Sequence, residues 1–351
     1  MNGGNQQTSS SPAVDLLSLA EIVERFAGKR VVLFGDFVAD YFQYGEITRV
    51  SREAPVLILR HRETRVSPGG GANAANNLIA LGAHVVPVSA VGQDLAGDSL
   101  LKSFREKNVD LSGVLRVKNR VTPTKTRFLA GWAHTVGQQV LRVDYEPKTH
   151  FTGSERKKID QLLLTRLKHA DALAISDYGF GVVTPEAVRR AANIRRKLPV
   201  TLDSRYSLSW YKNSGVTAAT PNEAEMEALH HTTIGRDTTE LERCGRATLK
   251  ALKLSSLVIT RGKDGMALFQ PSAGVAHIPV HGSDQAVDVT GAGDTVLAAY
   301  TLGLASGASP LEAAHIANIA GSLVVMKRGT ATVSRRELLD EIHAVVSGVP
   351  S

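Results

Sequence analysis

The sequence predicts an α/β protein with a mostly parallel central sheet, helices on both faces and a small antiparallel β-sheet beside it. Three observations carry this. Short apolar runs alternate with helical segments along most of the chain, two strand-like stretches have no helix within them, and glycine clusters fall where runs end. Repeated β-α-β order demands parallel pairing through crossover helices, while helix-free stretches pair as hairpins.

In chain order, Val31 to Phe34 is an apolar run ending in Gly35-Asp36. Asn73 to Leu81 reads as a helix stopped by Gly82, and Val85 to Val91 as the next buried strand. Asp94 to Lys107 is amphipathic, Ala172 to Ser176 is a strand, and Thr184-Pro185 combines an N-cap with proline at the first helical position. Val200 to Leu202, Val216 to Ala219 and Leu257 to Thr260 follow as strands, then Gly293 to Ala305 and Leu311 to Met326 as helices. Tyr41 to Val66 and Val121 to Tyr145 break the rhythm with alternation suited to a hairpin sheet, a lid over the main domain. One α/β domain over residues 16–340 is therefore expected, with lid segments at about 41–66 and 121–145, and a helix end and tail at 341–351.

Composition narrows the class. The 351 residues suffice for a large core. No apolar run approaches the roughly 18 residues of a membrane span. Residues 1–15, rich in Gly, Gln, Asn and Ser, lack the features of a secretory signal and read as a disordered tail. Cys244 is the only cysteine, which excludes an intrachain disulfide and fits a reducing cytoplasm. The net charge of +7 suits anionic partners, or equally a solvated exterior such as Arg189, Arg190, Arg195, Arg196 and Lys197. Neither a zinc-finger spacing nor an aromatic RNA-binding signature accompanies it, so no nucleic-acid partner is expected.

The densest chemical signal is Asp288-Val289-Thr290-Gly291-Ala292-Gly293-Asp294-Thr295. Glycines there let the backbone turn sharply at a helix start, whose free N–H groups and positive dipole end attract an anion. Asp294 stands at the same place, so a hydroxyl beside that anion meets a carboxylate able to take its proton. Phosphoryl transfer needs little more. The same residues would also serve as an ordinary helix cap. Asp36 and Asp40 follow the first strand's carboxyl end, where open α/β sheets place ligands; they suit sugar hydroxyls or loop capping.

Gly69-x-Gly71-x-x-Ala74 fits the loose dinucleotide fingerprint, but the polar Arg62 to Ser67 precedes it in place of a buried strand. Gly-x-x-x-x-Gly-Lys-Ser/Thr is absent, which excludes a P-loop kinase, and His230-His231 has no partner at metal-ligand spacing.

Asp288 to Asp294 resembles the second signature of the PfkB carbohydrate kinases, and Pro68-Gly69-Gly70-Gly71-Ala72-Asn73 with Gly82 resembles the first; the likeness runs from about Val31 to Ser334. It implies a ribokinase-like fold, ATP as donor, Asp294 as base, and the amides of Gly291, Ala292 and Gly293 steadying the phosphoryl group. It implies that Gly70, Gly71 and Asn73 approach the sugar, Asn73 offering both donor and acceptor. Thr220-Pro221-Asn222-Glu223-Ala224-Glu225 resembles the family's Thr-Pro-Asn-x-x-Glu segment, so Asn222 and Glu225 inherit hydrated magnesium, Asn222 also serving the nucleotide. Pro221-Asn222 would equally start a helix. Thr260, Arg261, Gly262 and Gly265 resemble the nucleotide-side loop, with Asn318 placed alongside, and Asp288 and Thr290 match a monovalent (potassium) cation site of several members.

Further stretches resemble the kinases acting on D-glycero-D-manno-heptose 7-phosphate, on the way to ADP-heptose: Gly35-Asp36-x-x-x-Asp40, Thr48 to Val56, Gln139 to Glu146, Ser176-Asp177-Tyr178 and Lys327 to Ser334. Tyr41, Arg52, Phe180 and Arg205 depart from their pattern. Because the chain ends soon after Ser334, this resemblance implies a stand-alone kinase lacking the fused nucleotidyltransferase domain. Arg49, Arg52, Lys125, Arg127 and Arg142 would take a phosphate on the acceptor, or else blunt a sheet edge. The rival acceptor is a neutral sugar or nucleoside held by Asp36, Asp40 and Asn73. A silent sugar sensor would instead be signalled by loss of Asp294 or its glycines, and these are intact. Lids in relatives often pair, so a homodimer through the lid is expected.

Overall fold

The computed structural model describes residues 14–131, 138–195, 197–206, 208–283 and 285–348. Of the expected tail, residues 1–13 lie outside these. Asp15 does not belong to a tail: it caps the first helix, its carboxylate accepting from the Leu17 N–H at 3.1 Å.

The strands are β1 (Arg30–Gly35), β2 (Phe37–Val50), β3 (Leu57–Gly70), β4 (His84–Gly92), β5 (Val114–Val117), β6 (Thr124–Gly131), β7 (Gln138–Tyr145), β8 (Ala172–Asp177), β9 (Val200–Ser204), β10 (Ala218–Ala219), β11 (Ser256–Thr260), β12 (Met266–Phe269) and β13 (Ala276–Ile278). The helices are α1 (Leu16–Glu24), α2 (Gly71–Ala80), α3 (Leu95–Arg105), α4 (Gly153–Arg166), α5 (Pro185–Ile194), α6 (Glu223–His230), α7 (Thr238–Leu252), α8 (Ala292–Ala305), α9 (Pro310–Val325) and α10 (Arg335–Val346).

Nine strands form one sheet in the order β13-β12-β11-β10-β9-β8-β1-β4-β5. Pairing is parallel from β5 to β11 and antiparallel through β12 and β13, because β11 returns as β12 through a turn too short for a crossover. Alternation sorts the core: Val31 and Leu33 of β1 enter one buried cluster with α1, α2, α8 and α9, while Val32 and Phe34 enter the other with α4, α5 and α7. All four are fully buried, each contributing about 1.5–3 kcal/mol by leaving water.

The smaller sheet runs β3-β2-β6-β7. Its hairpins β2/β3 and β6/β7 are antiparallel, but its central β2/β6 pair is parallel. The reason is positional: β2 and β6 leave the main sheet after β1 and β5, which already run in the same direction.

Parallel strands aligned this way bring their carboxyl ends to one edge, where Asp36, Asp177, Asp203, Thr220 and Thr260 follow or end β1, β8, β9, β10 and β11.

Candidate active site

Helix α8 starts at Gly291, whose φ of 81° lies in the left-handed region; a Cβ there would sit 2.5 Å from Asn73 Nδ2. Glycine is thus required twice, by conformation and by space. The helix start leaves its first N–H groups without intrahelical partners, and Asp294 occupies its first turn. Asp294 is 3% exposed. Its Oδ2 accepts from Asn73 Nδ2 at 2.8 Å and its Oδ1 from the Tyr178 hydroxyl at 3.3 Å. Burial pushes its carboxyl up to about 7, opposed by those two donors and by Lys125, and assisted by Asp40.

Asp294 faces a cavity of about 380 Å³ lined also by Gly70, Thr290, Gly291, Gly293, Asn222 and Glu225. Glu225 and Asp203 stand together at its wall. Burial raises both carboxyls, and the Glu225 and Asp294 charges raise Asp203 further. Asn222 caps α6, accepting from the Glu225 N–H at 2.8 Å while Glu225 accepts from the Asn222 N–H at 2.9 Å. The pair therefore starts a helix and still borders the cavity. Beside it the buried Thr220 hydroxyl has no partner among the described residues. Crowded carboxylates and an orphaned hydroxyl fit a hydrated divalent cation, which needs one or two carboxylates and keeps its waters.

A second cavity of about 420 Å³ adjoins on one side, sharing Asn222, Thr260, Val289 and Gly293. Its walls are largely apolar (Met266, Val280, Val296, Val325), with Ala292, Gly262, Gly265 and Asn318 among them. Gly265 has φ 76°, and its Cβ would lie 2.1 Å from the Ile278 carbonyl oxygen. Asn318 donates to the Pro279 carbonyl at 2.7 Å.

On the opposite side a third cavity of about 320 Å³ shares Lys125, Arg142, Tyr178 and Arg205 with the central one and adds Arg120, Lys148 and Tyr206. Lys125 lies 5.0 Å from the Tyr178 ring centre. Arg142 is held by Asp144 at 2.7 Å, and Arg127 by Asp40 at 2.7 Å. Lys125, Lys148 and Arg205 make no ion pair within 4.0 Å among the described residues, although the Asp40 charge acts on Lys125 and Arg205 acts on Asp203 and Glu225. Asp288 accepts from the Thr290 and Gly329 N–H groups at 2.9 and 2.8 Å; burial pushes it up, but these donors prevail and hold it below the usual carboxylate range. Next to Gly329, Thr330 lines the central cavity with a buried hydroxyl lacking a partner among the described residues.

Several expectations need correction. Asp36 does not meet a ligand: it is fully buried, and its carboxylate accepts from the N–H groups of Tyr178, Phe180 and Val182 at 2.9–3.0 Å. Asn73 is fully buried and gives its amide to Asp294 rather than to the cavity. Gly71 is buried against the Asp36 carbonyl. Arg49 lies exposed near the far end of β2, outside the three cavities. Arg261 is tied to Glu223 at 2.6 Å and to the Gly235 carbonyl, because the turn after β11 directs its guanidinium to α6. Conversely, Tyr178, Asp203 and Arg205 line the site although the sequence reading assigned them no role. The signal for Asp203 and Arg205 was their place at the carboxyl end of a parallel strand.

The chain is similar to known proteins in sequence and in fold. A sequence model described as pfkB family carbohydrate kinase matches residues 29–337. The Bifunctional protein HldE of Geobacter metallireducens is 40% identical over 310 residues, covering 88% of this chain and 62% of its own length. That of Geobacter sulfurreducens is 37% identical over 313 residues, covering 89% and 62%. The chain thus spans somewhat under two thirds of these relatives. Among solved structures, ribokinase from Arabidopsis thaliana complexed with ribose and ATP is similar, with TM-score 0.69 and 20% identity over 90% of this chain and 99% of that one. Phosphofructokinase-2 from Escherichia coli in complex with fructose-6-phosphate has TM-score 0.71 and 21% identity, over 91% and 99%.

Proposed function

The chain belongs to the pfkB family of carbohydrate kinases, and on that premise we propose that it transfers the γ-phosphoryl group of ATP to the anomeric hydroxyl of a sugar phosphate, D-glycero-D-manno-heptose 7-phosphate. One observation carries this reading: three adjoining cavities, the first largely apolar, the central one lined by charges of both signs and the third basic, with Asp294 in the central one. The apolar cavity suits the adenosine of ATP, flanked by Asn318 and the Gly262–Gly265 turn. The basic cavity suits an acceptor's phosphate through Lys125 and Arg205. Resemblance of Thr48 to Val56 and of Ser176 to Tyr178 to heptose 7-phosphate kinases supplies the choice of sugar.

Asp294 takes the proton of the acceptor hydroxyl, and its raised affinity for a proton suits that task near neutral pH. The N–H groups of Gly291 and Gly293 face the oxygens of the transferred phosphoryl, where fixed donors in a partly dry cavity act strongly. That of Ala292 donates instead to the Val289 carbonyl at 3.3 Å. Asn222 and Glu225 would hold magnesium through water, which supplies charge neutralisation between the phosphates. Asp288, Thr290 and Thr330 would hold a monovalent cation. Asp40, oriented by Arg127, meets the sugar hydroxyls. Exposed apolar residues on the smaller sheet, among them Leu57, Val140 and Leu141, support pairing of two lids in a homodimer. An acceptor screen measuring ATP consumption over neutral sugars, nucleosides and sugar phosphates tests the assignment.

A further inference from the structure

Asp36 is a buried charge that no step above uses, and the loop it holds ends on the base. Residues 178–182 leave β8 as Tyr-Gly-Phe-Gly-Val, with Gly179 and Gly181 at φ 79° and 87°. Those left-handed glycines turn the alternate N–H groups of Tyr178, Phe180 and Val182 onto one carboxylate, Asp36, at 3.0, 3.0 and 2.9 Å. The carbonyls of the same loop are held from the other side. Arg120 donates to the Phe180 carbonyl and Arg156 to the Gly181 carbonyl, the latter at 2.9 Å. Both guanidinium groups also lie over the Phe151 ring, 4.0 and 5.8 Å from its centre. Opposite charges therefore clamp both polarities of one short backbone segment. At its head the Tyr178 hydroxyl donates to Asp294 Oδ1, while Asn73 holds Oδ2.

We propose that Tyr178 and Asp36 are positioning residues for the catalytic base: Asp36 anchors the loop, and Tyr178 fixes the orientation and proton affinity of Asp294. This rests on the reading of Asp294 as base. A carboxylate with one donor on each oxygen cannot rotate freely, so its open lone pairs stay aimed at the acceptor hydroxyl. Burial, with the neighbouring Asp294 charge, keeps the Tyr178 phenol well above its ordinary range, so it remains a donor at any physiological pH. The other groups facing Asp294 are Asn73 from α2, Asp40 from β2, Lys125 from β6 and Asp203 from β9. Lys125 also covers the Tyr178 ring, so a cation that faces the outer cavity touches the residue that orients the base.

The test uses the full chain and Tyr178→Phe, with Asp294→Asn as reference. Carboxylate carbons are followed by NMR across pH in aspartate-labelled protein, and the resonance lost in Asp294→Asn is assigned to Asp294. Losing a hydrogen bond to the ionised form should raise the Asp294 titration midpoint in Tyr178→Phe by about half a unit to one unit. With ATP and heptose 7-phosphate, kcat should fall about tenfold or more, the acid limb should move up with the midpoint, and KM for ATP should not change. Asp36→Asn should reproduce the shift, and adding it to Tyr178→Phe should cost little more, as expected of residues acting as one unit. An unmoved midpoint, or a rise confined to the acceptor KM, would overturn the proposal while leaving the base in place. Turnover surviving in Asp294→Asn would overturn both.

Discussion

Asn73 and Asp294 lie 221 positions apart and meet through a 2.8 Å hydrogen bond in which the amide nitrogen donates to the carboxylate. That contact ties the two glycine-rich segments together. Asn73 follows Gly71 in the first turn of α2, and Asp294 follows Gly291 in the first turn of α8. Gly291 must be glycine because Asn73 occupies the space a side chain would need. The two motifs therefore form one assembly around a single carboxylate, to which the asparagine gives its amide N–H.

Asp294→Asn should retain the fold and lose about 10²–10⁴-fold in turnover, the usual contribution of a general base. The amide is isosteric and can keep a hydrogen bond with Asn73. Steady-state ATP consumption, alongside a melting curve, checks this. Turnover within a few-fold of the parent would remove Asp294 from the mechanism.

Activity should rise with pH through about 7 and level off above it. Burial pushes the Asp294 carboxyl up to about 7, and only the ionised form accepts a proton. Stability should move the opposite way. A carboxyl whose folded value is raised binds its proton more tightly in the native state, so its contribution is full below the unfolded value near 3.9 and is lost as pH rises through about 7. Thermal melts between pH 4 and 8 should therefore show a pH dependence in the parent that is smaller in Asp294→Asn. Identical slopes would argue against the raised value.

Much of this architecture was legible because burial writes periodicity into sequence. The parallel strands β1, β4, β8, β9, β10 and β11 and the helices α2, α8 and α9 are all carried by apolar runs or spacing, whereas the four-residue β5 was not. The antiparallel edge β12–β13 was not, since strands of four and three residues are too short to show a period. The parallel β2/β6 pair was not either, because it joins segments about 85 residues apart that carry no local sign of each other. Residue type marked Asp36 and Asn73 as polar groups near a site. It could not say that Asp36 would be consumed by three backbone N–H groups, or that Asn73 would meet a carboxylate. Tyr178 was hidden for a related reason: an aromatic in a glycine loop reveals nothing of what its hydroxyl touches.

Turnover should depend on magnesium, and Glu225→Gln should raise the concentration needed, since this half-buried carboxylate beside Asp203 would be the cation's anchor. Potassium should stimulate through Asp288 and Thr290. Lys327 is engaged by Glu337 and the Thr332 carbonyl and does not substitute for a cation there. Rates in potassium and in a bulky organic cation are compared directly. Equal rates would eliminate the monovalent site, and an unaltered magnesium requirement in Glu225→Gln would eliminate the anchor.

The protein should be a dimer at micromolar concentration, held by the smaller sheet. Leu57, Val140 and Leu141 are each 44–54% exposed on it, and β7 offers an open edge. Light scattering should give twice the chain mass, and Leu141→Asp should shift it toward the monomer. A monomer mass for the parent across that range would exclude the interface.

The acceptor phosphate should be read by Lys125 and Arg205. Arg205 lines both the central and the outer cavity, at the end of the strand that carries Asp203. Lys125 is half-buried at the same junction, and its ammonium is pushed down by burial with Asp40 opposing, so a phosphate dianion would gain from meeting it. Arg127 and Arg142 differ, because Asp40 and Asp144 already neutralise them. Losing one charge-assisted contact should weaken the bound phosphate by about 1.5–3 kcal/mol, so Arg205→Ala and Lys125→Ala should each raise KM for heptose 7-phosphate by about tenfold to a hundredfold. KM for ATP should stay constant, because the apolar cavity shares neither residue. Arg49→Ala, exposed near the far end of β2, should leave both constants unchanged. If neutral sugars turn over with far higher kcat/KM than any phosphorylated one, or if Arg205→Ala and Lys125→Ala bind the phosphorylated sugar as the parent does, the acceptor is neutral and Asp40 alone selects it.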